Sequence, residues 1–123
     1  TYNPTTKSAT PSLIVKKVAY PNGEFYIGQT DGTNKRWGYG EYFYSDKKLM
    51  YKGDFENNTR SGFGALFDKN GKKRYEGKWK NNRGHGEGKL FDKDGDVKYD
   101  GEFKEGKMEG FGKGYGKISC EHC

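Results

Sequence analysis

Tyr51, Gly53 and Phe55 alternate with Lys52, Asp54 and Glu56, so aromatic or small residues and charged residues take opposite parities of one short run. A period of two marks a β-strand with one solvated face. The run returns as Tyr75, Gly77 and Trp79 between Glu76, Lys78 and Lys80, and again as Tyr99, Gly101 and Phe103 between Asp100, Glu102 and Lys104. Each copy leads into a polar stretch, then a Gly-x-Gly run, then a second polar stretch. The pattern predicts one β-hairpin per unit and a β-meander for the chain.

The register between copies is regular. Tyr-x-Gly occurs at Tyr26, Tyr51, Tyr75 and Tyr99, spaced 25, 24 and 24 residues apart, and Gly-x-Gly follows at Gly38, Gly62, Gly86 and Gly110 at offsets of 12, 11, 11 and 11. A fixed period of this length signals a repeat architecture. In the second unit Asn57 to Ser61 reads as the connection, Gly62 as the start of the return strand and Asp68-Lys69-Asn70-Gly71 as a hairpin turn. The third unit places its connection at Asn81 to His85. The first unit is atypical, with Thr30 where later units carry an aromatic and a longer polar turn at Asp31 to Asn34; terminal repeats tend to differ in this way. Before it, Leu13 to Tyr20 is a β-branched run closed by Pro21-Asn22-Gly23, the expected capping strand of the array. The boundaries read as an irregular N-terminal extension with that strand over 1–19, the array over 20–117 and a tail over 118–123.

Side-chain parity places Tyr75, Gly77 and Trp79 on one face, with Gly86, Gly88 and Leu90 sharing a face of the return strand. The expectation is that the tyrosines and the tryptophan lie over glycines of neighbouring strands, where the missing Cβ leaves room for a flat ring.

Composition sharpens this picture. Only ten of the 123 residues are Val, Ile or Leu, against twenty Tyr, Phe and Trp, so a thick aliphatic interior is excluded and the rings must supply the burial. Mean hydropathy is -1.20 and 33% of residues are charged, values that disordered chains share, but disordered chains are poor in aromatics. No run of about 18 apolar residues exists to form a spanning helix, and Thr1 to Lys17 does not read as a secretory signal. The only two cysteines, Cys120 and Cys123, stand at the end of the chain, which suggests a reducing, intracellular setting.

The net charge of +6 sits in one hairpin, since residues 69–83 hold seven Lys/Arg and one Asp/Glu. Lys72, Lys73, Arg74, Lys78, Lys80 and Arg83, with Lys69, form a candidate patch for anionic lipid headgroups or an acidic protein. The plain alternative is a solvated strand face that keeps the sheet soluble. Nucleic acid is disfavoured as a partner, because lysines and rings are expected on opposite faces. Cys120, His122 and Cys123 are half of a metal site with no second half in the sequence, and His85 reads as an exposed turn residue, so no metal and no cofactor are expected. The acidic residues recur with the repeat as a solvated face, two histidines offer no Ser-His-Asp set, and the glycine pairs precede strands instead of helices, which excludes phosphate-cradling loops.

The unit resembles the MORN (membrane occupation and recognition nexus) repeat, Y-x-G-x-W/F-x-N-G-x-x-x-G-x-G. Tyr75-Glu76-Gly77-Lys78-Trp79-Lys80-Asn81 with Gly86-Glu87-Gly88 carries the likeness, and Tyr20 to Gly116 is covered. The departures are the 24-residue period where 23 is common, Thr30 in place of an aromatic, and Asn82 where Gly is frequent. The resemblance implies an all-β fold: an elongated, single-layer antiparallel meander of stacked hairpins, gutter-like, without catalytic machinery. It further implies a scaffold or adaptor whose aromatic groove holds a helical or extended segment of a partner protein, in a cytoskeletal, ciliary or other large cytoplasmic assembly or at the cytoplasmic face of a membrane. Tyr26, Tyr51, Phe55, Tyr75, Trp79, Tyr99 and Phe103 are the candidate groove residues. Two alternatives stay open: an adaptor binding anionic phospholipid through the 69–83 hairpin, and the accessory region of a larger enzyme. Open sheet ends make self-association a further expectation.

Overall fold

A computed structural model describes residues 11–114. Nine strands follow one another: β1 (Ile14–Ala19), β2 (Phe25–Thr30), β3 (Arg36–Phe43), β4 (Leu49–Glu56), β5 (Thr59–Phe67), β6 (Lys73–Lys80), β7 (Arg83–Phe91), β8 (Val97–Lys104) and β9 (Lys107–Gly114). They form a single antiparallel sheet in sequence order, with every strand beside its chain neighbours. The expected all-β meander is the observed fold. Cys120, His122 and Cys123 lie outside the described residues.

Alternation decides which face is buried. Tyr51, Gly53 and Phe55 are enclosed while Lys52 and Glu56 are exposed, and β6 repeats the pattern with Tyr75, Gly77 and Trp79. Among the described residues the sheet has no second layer, so the rings of this face, with Val18, Leu66 and Leu90, bury one another. Their edge-to-face contacts run unbroken across the sheet, from Tyr26 to Phe55 (5.1 Å between centroids), Phe55 to Tyr51 (5.0 Å), Tyr51 to Trp79 (5.4 Å), Trp79 to Tyr75 (5.0 Å), Tyr75 to Phe103 (5.0 Å) and Phe103 to Tyr99 (5.2 Å). Each such contact adds about 0.5–1.5 kcal/mol beyond area burial.

A line of glycines makes the spine fit. Cross-strand pairing aligns Gly28 with Gly40, Gly40 with Gly53, Gly53 with Gly64, Gly64 with Gly77, Gly77 with Gly88 and Gly88 with Gly101. A Cβ on Gly40, Gly64 or Gly88 would run into the ring of Tyr26, Tyr51 or Tyr75 respectively. The ring-over-glycine expectation therefore holds for the second glycine of the first three Gly-x-Gly runs, Gly40, Gly64 and Gly88. It fails for the first glycine of a run. Gly62 and Gly86 have φ of 111° and 93°, and their missing Cβ atoms point to Asp54 and Lys78 on the other face. Each sits in a bulge that puts extra residues on the return strand, and positive φ is what glycine supplies there.

The connections are also shorter than the sequence suggests. Within the second and third connections, Asn57-Asn58 and Asn81-Asn82 alone turn the chain, with φ of 49°, 67°, 51° and 69°, the doubly positive pattern of a type I′ hairpin. Thr59 to Ser61 and Arg83 to His85 already belong to strands. Asparagine adopts left-handed φ at little cost, so two residues suffice. The Asp68 turn is as expected: its carboxylate accepts from the backbone N–H of Asn70 (2.8 Å) and Lys72 (3.0 Å), and Gly71 has φ of 84°.

Candidate partner-binding groove

The seven predicted groove rings are brought together, and they are closed. Tyr26 and Tyr75 are 0% exposed and Tyr99, the most open of the set, 6%. Their polar atoms are spent within the sheet: the hydroxyls of Tyr26, Tyr51, Tyr75 and Tyr99 donate to the carbonyls of Gln29 (2.6 Å), Asp54 (2.9 Å), Lys78 (2.8 Å) and Glu102 (2.9 Å), each three residues on. The Trp79 indole N–H donates to the Gly64 carbonyl at 3.0 Å. These rings are a floor, and the accessible surface is what lies above them. Thr30 is buried without a ring by using its hydroxyl, which donates to the Ile14 carbonyl at 2.9 Å and ties β2 to β1.

Above the floor lies a groove of about 950 Å³ whose wall includes Arg36, Tyr42, Tyr44, Met50, Arg60 and Arg74. Met50 and Arg74 reach it because each is an extra residue at a bulge just before the repeat tyrosine, opposite Tyr42/Phe43 and Leu66/Phe67. Tyr42 stacks on Tyr20 at 5.5 Å and donates to Glu24 at 2.9 Å. Its removal from water, with Glu24 beside it, pushes its hydroxyl up to about 12.

Arg36 and Arg60 cover the rings. The Arg36 guanidinium lies 5.1 Å from the Tyr42 ring centre, 5.3 Å from Phe55 and 5.5 Å from Tyr20; Arg60 lies 4.4 Å from Trp79 and 5.8 Å from Tyr51. Such placement is the favourable cation–π geometry. Arg36 donates to the Tyr20 hydroxyl (2.6 Å) and the Asn58 carbonyl (2.8 Å), and Arg60 to the Asn82 carbonyl (2.9 Å). Burial, with Arg36 nearby, lowers the Arg60 pKa from its ordinary value. Sequence reading missed both arginines. The signal was there, since they stand 24 residues apart in the repeat frame, but Arg60 fell inside the stretch read as a connection and Arg36 between the expected turn and the return strand.

The basic set 69–83 is not one surface. Lys72 is an exposed turn residue, whereas Lys78, Lys80 and Arg83 are exposed farther along the hairpin. Lys72 and Lys80 are roughly 26 Å apart along an extended strand, beyond the range over which exposed charges reinforce each other in physiological salt. Lys73 pairs with Glu76 at 3.3 Å. Arg74 turns to the ring face, donates to the Phe91 carbonyl at 3.0 Å and faces Asp68 at 3.9 Å. His85 is a half-buried strand residue whose Nδ1 faces the Glu105 N–H at 3.5 Å, too long for a strong bond. No cluster of His, Cys, Asp or Glu suited to a metal occurs among the described residues.

A single-layer sheet of near-identical hairpins, with a ring floor and a groove above it, defines a repeat-type interaction module. The chain belongs to the MORN repeat family: the family model for that repeat matches residues 34–48, 51–73, 75–97 and 99–113, more than half of the sequence. Repeats of this family are generally non-catalytic. A search of the curated proteins finds no match.

Proposed function

We propose that this protein is a non-catalytic scaffold or adaptor module that holds a helical or extended segment of a partner protein in the groove above its aromatic floor, within a cytoskeletal, ciliary or other large cytoplasmic assembly. The observation that carries this reading is the open groove of about 950 Å³ between Glu24 and Asn82, set on rings already locked by hydrogen bonds. A preformed floor reduces the ordering cost of binding. Tyr42 and Met50 are the half-buried side chains a partner would touch, whereas Phe63 is 56% exposed on the other face. The test is affinity capture of the native partner followed by amide hydrogen exchange on the purified complex. Tyr42→Ala with Met50→Ala should weaken capture at least tenfold with the fold retained, and protection should map to β3–β6. Protection confined to the face bearing Phe63, with Phe63→Ala abolishing capture, would overturn the reading.

A second reading is contact with anionic phospholipid. It is favoured by Lys80 and Arg83, exposed cross-strand neighbours with no ion-pair partner among the described residues. Vesicle binding that survives Lys80→Gln with Arg83→Gln, or that ignores salt, would remove it.

A further inference from the structure

We propose that Arg36 and Arg60 form a two-point anion site that selects an acidic partner segment, one that places two carboxylates against them; this rests on the groove reading above. The repeat itself supplies the first argument. Arg36 opposes Thr30, Arg60 opposes Phe55, Gly84 opposes Trp79 and Met108 opposes Phe103, so the four occupy one structural position at a period of 24 residues. Glycine and methionine serve that position in the third and fourth units. Packing of the sheet therefore does not require a cation there, yet the first and second units, which supply most of the groove wall, both carry one.

The second argument is the state of those cations. No carboxylate lies within ion-pair distance of either guanidinium among the described residues, although Arg74, in the same groove, has Asp68 and lysines elsewhere have Glu76 and Asp92. The Arg36 Nε–H is buried with no hydrogen-bond partner. Backbone carbonyls and ring faces hold the two side chains in place but neutralise neither. A cation taken partly out of water and left without a counter-charge is costly, and an incoming carboxylate relieves that cost. The groove wall as a whole has four cations, Arg36, Arg60, Lys69 and Arg74, against two carboxylates, Glu24 and Asp68. Charge complementarity therefore points to an acidic occupant.

Spacing adds a constraint. Arg36 is on β3 and Arg60 on β5, two strand places apart, so their backbones stand on the order of 10 Å from each other. Two glutamates seven residues apart on a helix are also roughly 10 Å apart, at 1.5 Å rise per residue.

The experiment uses the full chain and a labelled synthetic helical peptide with leucines on one face and Glu at two positions seven apart, its Gln counterpart, and vesicles containing phosphatidylinositol phosphate. Arg36→Met and Arg60→Met import the residue that the fourth unit carries at this position, and circular dichroism with a thermal melt verifies that each variant is folded. The Glu peptide should bind in a salt-sensitive way, with about a tenfold loss for each arginine removed and for each Glu→Gln. Equal binding of the Glu and Gln peptides, unchanged in Arg36→Met/Arg60→Met, overturns the acidic inference and leaves the groove reading standing. Binding of neither peptide overturns both. Vesicles captured through Arg36 and Arg60 in preference to the Glu peptide would assign the site to lipid headgroups and overturn the choice of a protein segment.

Discussion

Tyr26, Tyr51 and Tyr75 each do two jobs with one side chain: the ring lies over a glycine of the next strand, and the hydroxyl closes onto a carbonyl three residues ahead. Both demand a neutral phenol. Burial, opposed in part by Arg36, pushes Tyr26 from its ordinary value near 10 up to about 12, and burial raises Tyr51 and Tyr75 in the same direction. The unfolded chain keeps ordinary values and so releases these protons at lower pH than the folded one. The Tyr26 contribution to stability is thus complete below about pH 10 and is lost as pH rises through about 12, and those of Tyr51 and Tyr75 follow in the same direction. Far-ultraviolet circular dichroism should stay constant to about pH 10 and collapse between pH 10 and 12, with the tyrosinate absorbance of the buried rings rising in the same step. Full ionisation of all tyrosines near pH 10 with the β signal intact would show that the rings are open to solvent. That Tyr26, Tyr51, Tyr75 and Tyr99 share a role was legible from their period. That the role is closure of the floor was not, because exposure depends on what covers a ring and here the cover is other units of the sheet.

At the scale of the hairpin, the second asparagine of each Asn-Asn turn fastens one unit to the one before it. Asn82 Oδ1 accepts the Arg60 backbone N–H at 2.8 Å, and the Asn82 N–H donates to the Arg60 carbonyl at 3.0 Å. Asn58 does the same for Arg36, at 2.8 and 2.9 Å. In the fourth unit Gly106 retains only the backbone half, to the Gly84 carbonyl at 2.8 Å. This gives a physical reason for Asn82 where the repeat pattern often has glycine. Asn82→Gly keeps the positive φ but loses the side-chain acceptor, and should lower stability by about 1 kcal/mol. Asn82→Ala also meets a backbone cost of about 1–2 kcal/mol at that φ and should fall further, as read from urea midpoints. Equal midpoints for Asn82→Gly and the parent would show that the fastening contributes nothing. The polar composition of the turns was legible; their two-residue length was not, since the hydrogen bonds that define it run to residues 22 positions away.

For the molecule as a whole, Trp79 is the central link of the spine, touching Tyr51 of the second unit and Tyr75 of its own. Repeat arrays owe their stability to contacts between neighbours, so cutting a link weakens coupling across it. Trp79→Ala should cost about 3–5 kcal/mol and split one denaturation transition into two, with loss of partner capture accompanying loss of structure. A single, equally steep transition would mean that the backbone ladder alone couples the units. The same burial alters how the predicted groove residues are to be tested. Substitutions in the floor report on folding, and substitutions in the layer above, at Tyr42, Met50, Arg36 and Arg60, test the proposed binding.

The sequence alone determined the repeat, its strands, the meander and the buried face, because those follow from parities and offsets between residues near in the chain. It also determined that aromatic rings dominate the core, since only ten Val, Ile and Leu stand against twenty Tyr, Phe and Trp. Tertiary structure decided which glycine of each Gly-x-Gly lies under a ring, because a bulge shifts the parity of the first onto the other face. It separated Arg74 from Lys73, Lys78 and Lys80 for the same reason. It also set Arg36 and Arg60 over the floor as cations without counter-charges, a fact that arises only where strands from three units meet.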